Sequence, residues 1–252
     1  MEKGAGSCAG VVGLTLECGT GHARTMRCVE CCSNGAHSAW SALWSTSTTP
    51  LVSNKAFNSG SKSLTFGQCD LSLFAHVMHA IKTDAEAEGE DLTQWEFVDL
   101  GSGMGRVVFA AHLLCSFHRS VGIELVQDLH AIAQAKLEVF LLEPKGEEQQ
   151  QQRIRFVHGD ILEQDWAEGG EEEGERRRKK VIFVTSTCFT DELFERVARK
   201  AGGGLEKGGW LVTFTKEVPP AWGLPFVLRR RFSRVKVNWG SVSVFLYKKE
   251  EC

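Results

Sequence analysis

The chain has 252 residues, 42% of them hydrophobic, so about 106 apolar side chains are available, enough for one substantial core with appendages. Lys and Arg number 29 against 32 Asp and Glu, a net charge of −3 that excludes a uniformly basic nucleic-acid binder and a strongly acidic, disordered chain. There is no run of about 18 apolar residues, which excludes a membrane helix. Residues 1–25 lack the apolar stretch that a secretory signal needs, so the chain reads as intracellular. Five of the nine cysteines fall in the first 32 residues, a poor disulfide framework that fits a reducing compartment.

Residues 1–60, rich in Gly, Ser, Thr, Cys and Ala, predict an irregular leader. Within it, Cys18, His22, Cys28, Cys31 and Cys32 have zinc-ligand chemistry, but the Cys18–His22 half is irregularly spaced. They are read as free thiols, and no metal is expected. Residues 61–94 form a helical segment, with apolar residues at helical spacing over 71–81, Asp70 as N-cap, and a loop through the acidic residues to Gly89. Strand then alternates with helix over 95–252: strand 95–100, helix 105–115, strand 120–125, helix 129–142, strands 153–159 and 180–186. A helix over 191–201 is expected to stop at Gly202, Gly203 and Gly204, followed by strand 209–215. Segments 226–237 and 241–247 read as an antiparallel pair closing the sheet. Strands separated by helices need crossovers, which predicts an α/β, doubly wound, mostly parallel sheet. Two polar insertions, 143–152 and 168–180, interrupt the pattern, and the basic run 176–180 reads as a solvated loop.

The informative segment is FVDLGSGMGRVV, residues 97–108. A hydrophobic strand carries Asp99 near its end, and Gly101, Ser102, Gly103 and Gly105 turn into a helix whose first N–H groups lack partners. The spacing is Gly-x-Gly-x-Gly rather than the dinucleotide Gly-x-Gly-x-x-Gly, and Arg106 replaces the third fingerprint glycine. An acid here would repel a pyrophosphate and attract an ammonium or sulfonium, which favours S-adenosylmethionine over a nicotinamide dinucleotide. Glu124 ends the second strand, where an acceptor pair can chelate a ribose diol, and Asp160, after the third strand, can meet an adenine amino group.

With these motifs in order, LTFGQC (64–69), FVDLGSGMGRVVF, VGIEL, HGDIL, IFVTSTCFTDEL (182–193) and VNWGSVSVFLY (237–247), the chain resembles the disruptor-of-telomeric-silencing family over about residues 60–250. These are histone-lysine methyltransferases without a SET domain, and the likeness is to divergent single-domain members. The resemblance implies a class I S-adenosylmethionine-dependent methyltransferase fold with a seven-stranded sheet, and S-adenosyl-L-methionine as cofactor. It implies that Phe66, Gly67 and Gln68 clasp the methionine end, that Asp99 and the glycines form the cofactor loop, that Glu124 holds the ribose, and that Asp160 and Ile161 frame the adenine. It also implies a histone or nucleosome substrate and a nuclear location. Departures are Thr185 for an asparagine nearest the transferring methyl and Val244 for a channel tyrosine.

Methyl transfer to lysine needs a neutral amine aligned with the methyl, which a dry apolar channel promotes. Phe183, Phe189, Trp239 and Phe245 are the expected walls, with Thr185 and Ser186 as acceptors for the amine and Cys188 as a small buried cysteine. Lysine would enter between 185–189 and 239–245. The leading expectation is a protein-lysine methyltransferase acting on histone. Its alternatives are another protein or a small molecule as substrate, or a silent cofactor-binding adapter. The basic stretch Arg229–Lys236 is a candidate DNA contact, and a monomer is expected.

Overall fold

The computed structural model describes residues 69–142, 153–167, 177–237 and 240–250. The leader with its Cys and His group, Phe66, Gly67, Gln68, Trp239 and most of both insertions lie outside the described residues. In chain order the elements are α1 (Leu71–Ala87), β1 (Glu96–Leu100), α2 (Arg106–Cys115), β2 (Arg119–Glu124), α3 (Gln127–Leu142), β3 (Ile154–His158), β4 (Lys180–Val184), α4 (Asp191–Gly204), β5 (Trp210–Phe214), β6 (Phe226–Val237) and β7 (Gly240–Lys249). The strands form one seven-stranded sheet in the order β3-β2-β1-β4-β5-β7-β6. Neighbours among β1–β5 run parallel, and β7 runs antiparallel between β5 and β6.

Both faces of the sheet are covered, and the central strands alternate between them. Val181 and Phe183 of β4 pack with α1 and α2, whereas Ile182 and Val184 pack with α4 and the turn holding Trp166. A strand buried on both faces reads as a continuous apolar run, as this one does. A satellite cluster of Phe109, Ala133 and Phe156 joins α2, α3 and β3. α1 shares the main core: Phe74 meets Phe97 and Phe183 edge-on, at centroid distances of 5.8 and 5.3 Å.

Two helix ends differ from expectation. Asp70 caps α1, accepting from the Leu73 amide at 3.0 Å, but the helix continues to Ala87 instead of ending near 81. The extra turns bury Ala85 and put Asp84 and Glu88 beside the basic residues of β6 and β7. α4 runs through Gly202–Gly204 to its cap at Leu205. A Cβ at Gly202 would come within 3.2 Å of Pro225, so close packing of the segment before β6 outweighs glycine's helix cost of about 1 kcal/mol.

The basic run before β4 is not a solvated loop over 178–180. Lys180 is 5% exposed, donates to the Trp166 carbonyl at 3.0 Å and lies 3.4 Å from Glu96, which also faces Arg119 at 3.7 Å. Lys179 pairs with Glu90 and sits over the Trp95 ring. These residues fasten the insertion to the N-terminal ends of the strands. Lys180→Ala would remove the nearer of the two cations that face the buried Glu96 carboxylate, leaving it Arg119 at 3.7 Å. It should cost about 3 kcal/mol in urea denaturation, most of it recovered on adding Glu96→Gln. A single variant as stable as the parent would refute the assignment.

The basic stretch of β6 is also engaged. Arg229 lies 3.7 Å from Glu88, Arg230 binds Asp84 through both carboxylate oxygens, and Arg231 lies 3.8 Å from Glu217 and over the Phe245 ring. As exposed pairs they contribute only about 0–1 kcal/mol each. They pair three arginines of the basic stretch with acids of the same chain while the strand stays largely exposed.

Candidate active site

Strand register aligns the site. Leu100, Ile123, Val157, Val184 and Thr213 form one row across β1, β2, β3, β4 and β5 near their C-terminal ends. The next step along each chain is Gly101, Glu124, His158, Thr185 and Phe214. Ligands of open α/β sheets bind beyond this edge, at the point where strand order reverses, here between β1 and β4.

The loop after β1 is locked from below. The Gly101 and Ser102 amides donate to the Ile123 carbonyl at 2.9 and 3.0 Å. Gly101, Gly103 and Gly105 all have positive φ, of 83, 54 and 81°. At Gly105 glycine is needed twice over, because a Cβ would also run into the Phe156 ring. At Gly101 a Cβ would meet nothing within 4 Å, so the loop leaves open space above its first turn. Ser102 is buried, and its hydroxyl finds no hydrogen-bond partner among the described residues.

The three carboxylates stand at the ends of β1, β2 and β3 in spatial order. Asp99 is 3% exposed, and burial together with the neighbouring Glu124 pushes its pKa up to about 8. Glu124 is also raised, chiefly by burial, against the opposing pull of backbone donors: Gly103 N–H at 2.7 Å and Val126 N–H at 2.8 Å. Asp160 accepts from the Leu162 amide at 2.8 Å, which fixes the turn that buries Ile161. Two buried acids stand side by side, and among the described residues neither forms an ion pair, although His158 draws weakly on Glu124. Open space above Gly101 and an unsatisfied Ser102 hydroxyl adjoin them. This donor set fits a ligand with a cationic end and a polar body, as S-adenosylmethionine has.

The expected acceptor side is placed differently. Thr185 is half-buried just beyond β4, and Phe189 is half-buried against the α4 face of the core. Ser186 has no exposed surface and donates to the Phe214 carbonyl at 2.5 Å, so it ties β4 to β5 and does not receive an amine. Phe183 is fully buried, 5.1 Å from Phe214 ring to ring, and Phe245 is stacked on Tyr247 at 6.3 Å. Both are core residues, not channel walls, because their strand positions face the packed layers. Val244 is fully buried, and Cys188 is half-buried rather than enclosed.

Sequence reasoning missed Cys69 and the hydroxyl group around Thr187 and Thr215. The Cys69 thiol is held strongly up by burial and then by the charge of Asp99. Thr187 and Thr215 share a hydrogen bond at 2.9 Å between the ends of β4 and β5. No local signal marks either residue, since nothing in TFTK announces a turn with positive φ.

Residues 49–223 match the family described as "Histone methylation protein DOT1". The fold is similar to that of magnesium protoporphyrin IX methyltransferase (ChlM) from Synechocystis PCC 6803 with bound SAM. That likeness has a TM-score of 0.50 and 11% identity, covering 79% of this chain and 94% of that one. It is similar also to TrmN from Thermus thermophilus, at TM-score 0.51 and 17% identity, covering 75% of this chain and 51% of that one. No curated protein matches the chain significantly. The seven-stranded mixed sheet is that of class I S-adenosylmethionine-dependent methyltransferases.

Proposed function

The chain belongs to the DOT1 histone methylation family, and from this premise we propose that it is an S-adenosylmethionine-dependent protein-lysine N-methyltransferase acting on histone in the nucleosome. The observation that carries the reading is the row of three carboxylates at the ends of β1, β2 and β3, with Asp99 buried and without an ion pair among the described residues. Asp99 would hold the ammonium of the cofactor, Glu124 the ribose diol, and Asp160 with Ile161 the adenine. Phe66, Gly67 and Gln68 immediately precede Cys69, whose thiol lies within electrostatic reach of Asp99, and this supports their part at the methionine end.

When bound, the cofactor supplies an electrophilic methyl on a sulfonium. The chain's own part is to bind, orient and exclude water. Asp160 at β3, Glu124 at β2 and the glycine loop at β1 lie along one half of the sheet edge and would hold the adenine, the ribose and the methionine part. The methyl end would then be offered to the other half, at β4 and β5. There Thr185 and Phe189 present a hydroxyl and an apolar edge to a neutral amine. Residues 184–189 at the β4 end carry no carboxylate to hold an amine protonated, which suits lysine deprotonated in a dry channel. Trp239 would complete the wall, in keeping with the family likeness. A nuclear location, a chromatin role and a monomer belong to the same proposal.

A second reading, a cofactor-binding module without turnover, is favoured by the burial of Phe183 and Phe245, which removes two expected walls, and of Val244, which stands where a channel tyrosine would be expected. Incubation of nucleosomes and of free cytosolic proteins with labelled cofactor, followed by mass spectrometry, separates the two. Methyl-lysine on nucleosomal histone is expected. Phe189→Ala should lower that turnover at least tenfold with cofactor affinity unchanged. Labelling confined to free proteins would move the substrate off chromatin. Tight cofactor binding with no labelled product would favour the module.

A further inference from the structure

Thr215, directly after β5, is a β-branched residue with φ of 70°. The Lys216 amide donates to the Phe214 carbonyl across it at 2.8 Å, closing a three-residue γ-turn of the rare, strained, positive-φ form. Four ties from three directions hold the turn. The Thr215 amide donates to the Ser243 carbonyl of β7 at 2.7 Å, and the Thr213 hydroxyl donates to the Lys216 carbonyl at 2.7 Å. The Ser186 hydroxyl reaches the Phe214 carbonyl, and the Thr215 and Thr187 hydroxyls meet at 2.9 Å. Strain of this kind persists only where the surroundings over-determine it, and it concentrates at functional sites. The turn stands at the C-terminal ends of β4 and β5, the half of the sheet edge that the cofactor's nucleoside leaves clear.

We propose that Thr187 and Thr215 form a hydroxyl wall that positions the methyl-accepting amine, with the strained turn fixing its geometry. This rests on the methyltransferase reading above and names the residues that recognise the acceptor. In the pair one hydroxyl donates to the other. The donor keeps its lone pairs, and the acceptor keeps its own O–H. Lone pairs facing the crevice accept the N–H groups of a neutral amine and leave the nitrogen lone pair aimed at the methyl. On transfer the nitrogen lone pair forms the new C–N bond, the sulfur keeps the electron pair of the broken C–S bond, and the extra proton leaves the nitrogen for solvent. The strained backbone pre-sets the direction of the Thr215 hydroxyl, so no ordering is needed when the acceptor arrives.

The test compares two probes by calorimetry on the full chain. One is S-adenosylhomocysteine, and the other is its analogue with nitrogen in place of sulfur and an aminoethyl arm on that nitrogen, which sets an amine close to the place of the attacking one. The parent should bind the armed analogue at least tenfold tighter than S-adenosylhomocysteine. Thr187→Val and Thr215→Gly should each reduce that advantage to under twofold, with S-adenosylhomocysteine affinity within twofold of the parent's. Thr215→Ser, which keeps the hydroxyl, should retain the advantage. Thr215→Gly should melt no lower than the parent, because relief of the positive φ offsets the lost hydroxyl pair. An arm advantage that survives both variants overturns the proposal, as does a parent that gains nothing from the arm. So does a Thr215→Gly protein that melts clearly lower or loses S-adenosylhomocysteine affinity, since the turn would then be structural. Failure of the parent to bind S-adenosylhomocysteine at all would instead remove the methyltransferase reading itself.

Discussion

Replacing Asp99 by Asn should make the protein more stable and remove cofactor binding at the same time. Asp99 is fully buried beside Glu124 and titrates at about 8, far above an ordinary carboxylate. A group whose folded pKa is raised binds its proton more tightly in the folded state. For an acid this means its contribution to stability is full below the unfolded value of about 3.8, and it declines as pH rises toward about 8. The parent without cofactor should therefore lose stability on this account between about pH 4 and pH 8. Asn removes the slope and should stabilise the protein at the upper end of that range, by at most about 6 kcal/mol, the ceiling set by the size of the shift at about 1.36 kcal/mol per pH unit. The cofactor effect has the opposite sign. A buried charge-assisted pair with the ligand's ammonium contributes about 3 kcal/mol, so its loss should weaken S-adenosylmethionine by a hundredfold or more. In the parent, affinity should climb with pH up to about 8, as Asp99 ionises, then fall as an α-amino group of pKa about 8 loses its proton. Urea denaturation and calorimetry over pH 5–9 measure both effects. A variant less stable than the parent, or one that binds the cofactor as tightly, would refute this account of Asp99.

Gly105→Ala and Gly101→Ala should separate folding from binding within one loop. At Gly105 a methyl group meets the Phe156 ring and the backbone sits at φ 81°. The left-handed conformation costs about 1–2 kcal/mol and overpacking a further 1–3 kcal/mol, together about 2–5 kcal/mol. That is a large fraction of a domain's typical stability of about 5–15 kcal/mol, so the protein should be largely unfolded or its denaturation midpoint sharply lowered. At Gly101 φ is similar, but a Cβ has open space around it. This variant should fold with only the backbone penalty, and its methyl group should stand in the space a cofactor needs, weakening binding at least tenfold. Equal midpoints for the two variants would contradict the geometry.

The strands, their parallel order and the glycine loop were legible because they rest on local signals. A doubly buried strand is a continuous apolar run, and Gly-x-Gly-x-Gly after Asp99 marks a backbone that must take positive φ. The three acids were legible for the same reason, since each ends a recognisable strand. What lay beyond reach was anything set by partners distant in the chain. Gly202–Gly204 are ordinary stop signals, yet α4 runs through them because Pro225 packs against Gly202. α1 outruns its apolar pattern because Asp84 and Glu88 meet Arg230 and Lys248, about 150 residues away. Lys180 ends a charge run that looks solvated, but Glu96 and the Trp166 carbonyl draw it into the base of the sheet. Phe183 and Phe245 look like channel aromatics until strand register assigns them to packed faces. The γ-turn at Thr215 has no glycine or asparagine to announce it. Its positive φ is imposed by hydrogen bonds from β4 and β7, so it exists only once the sheet has assembled.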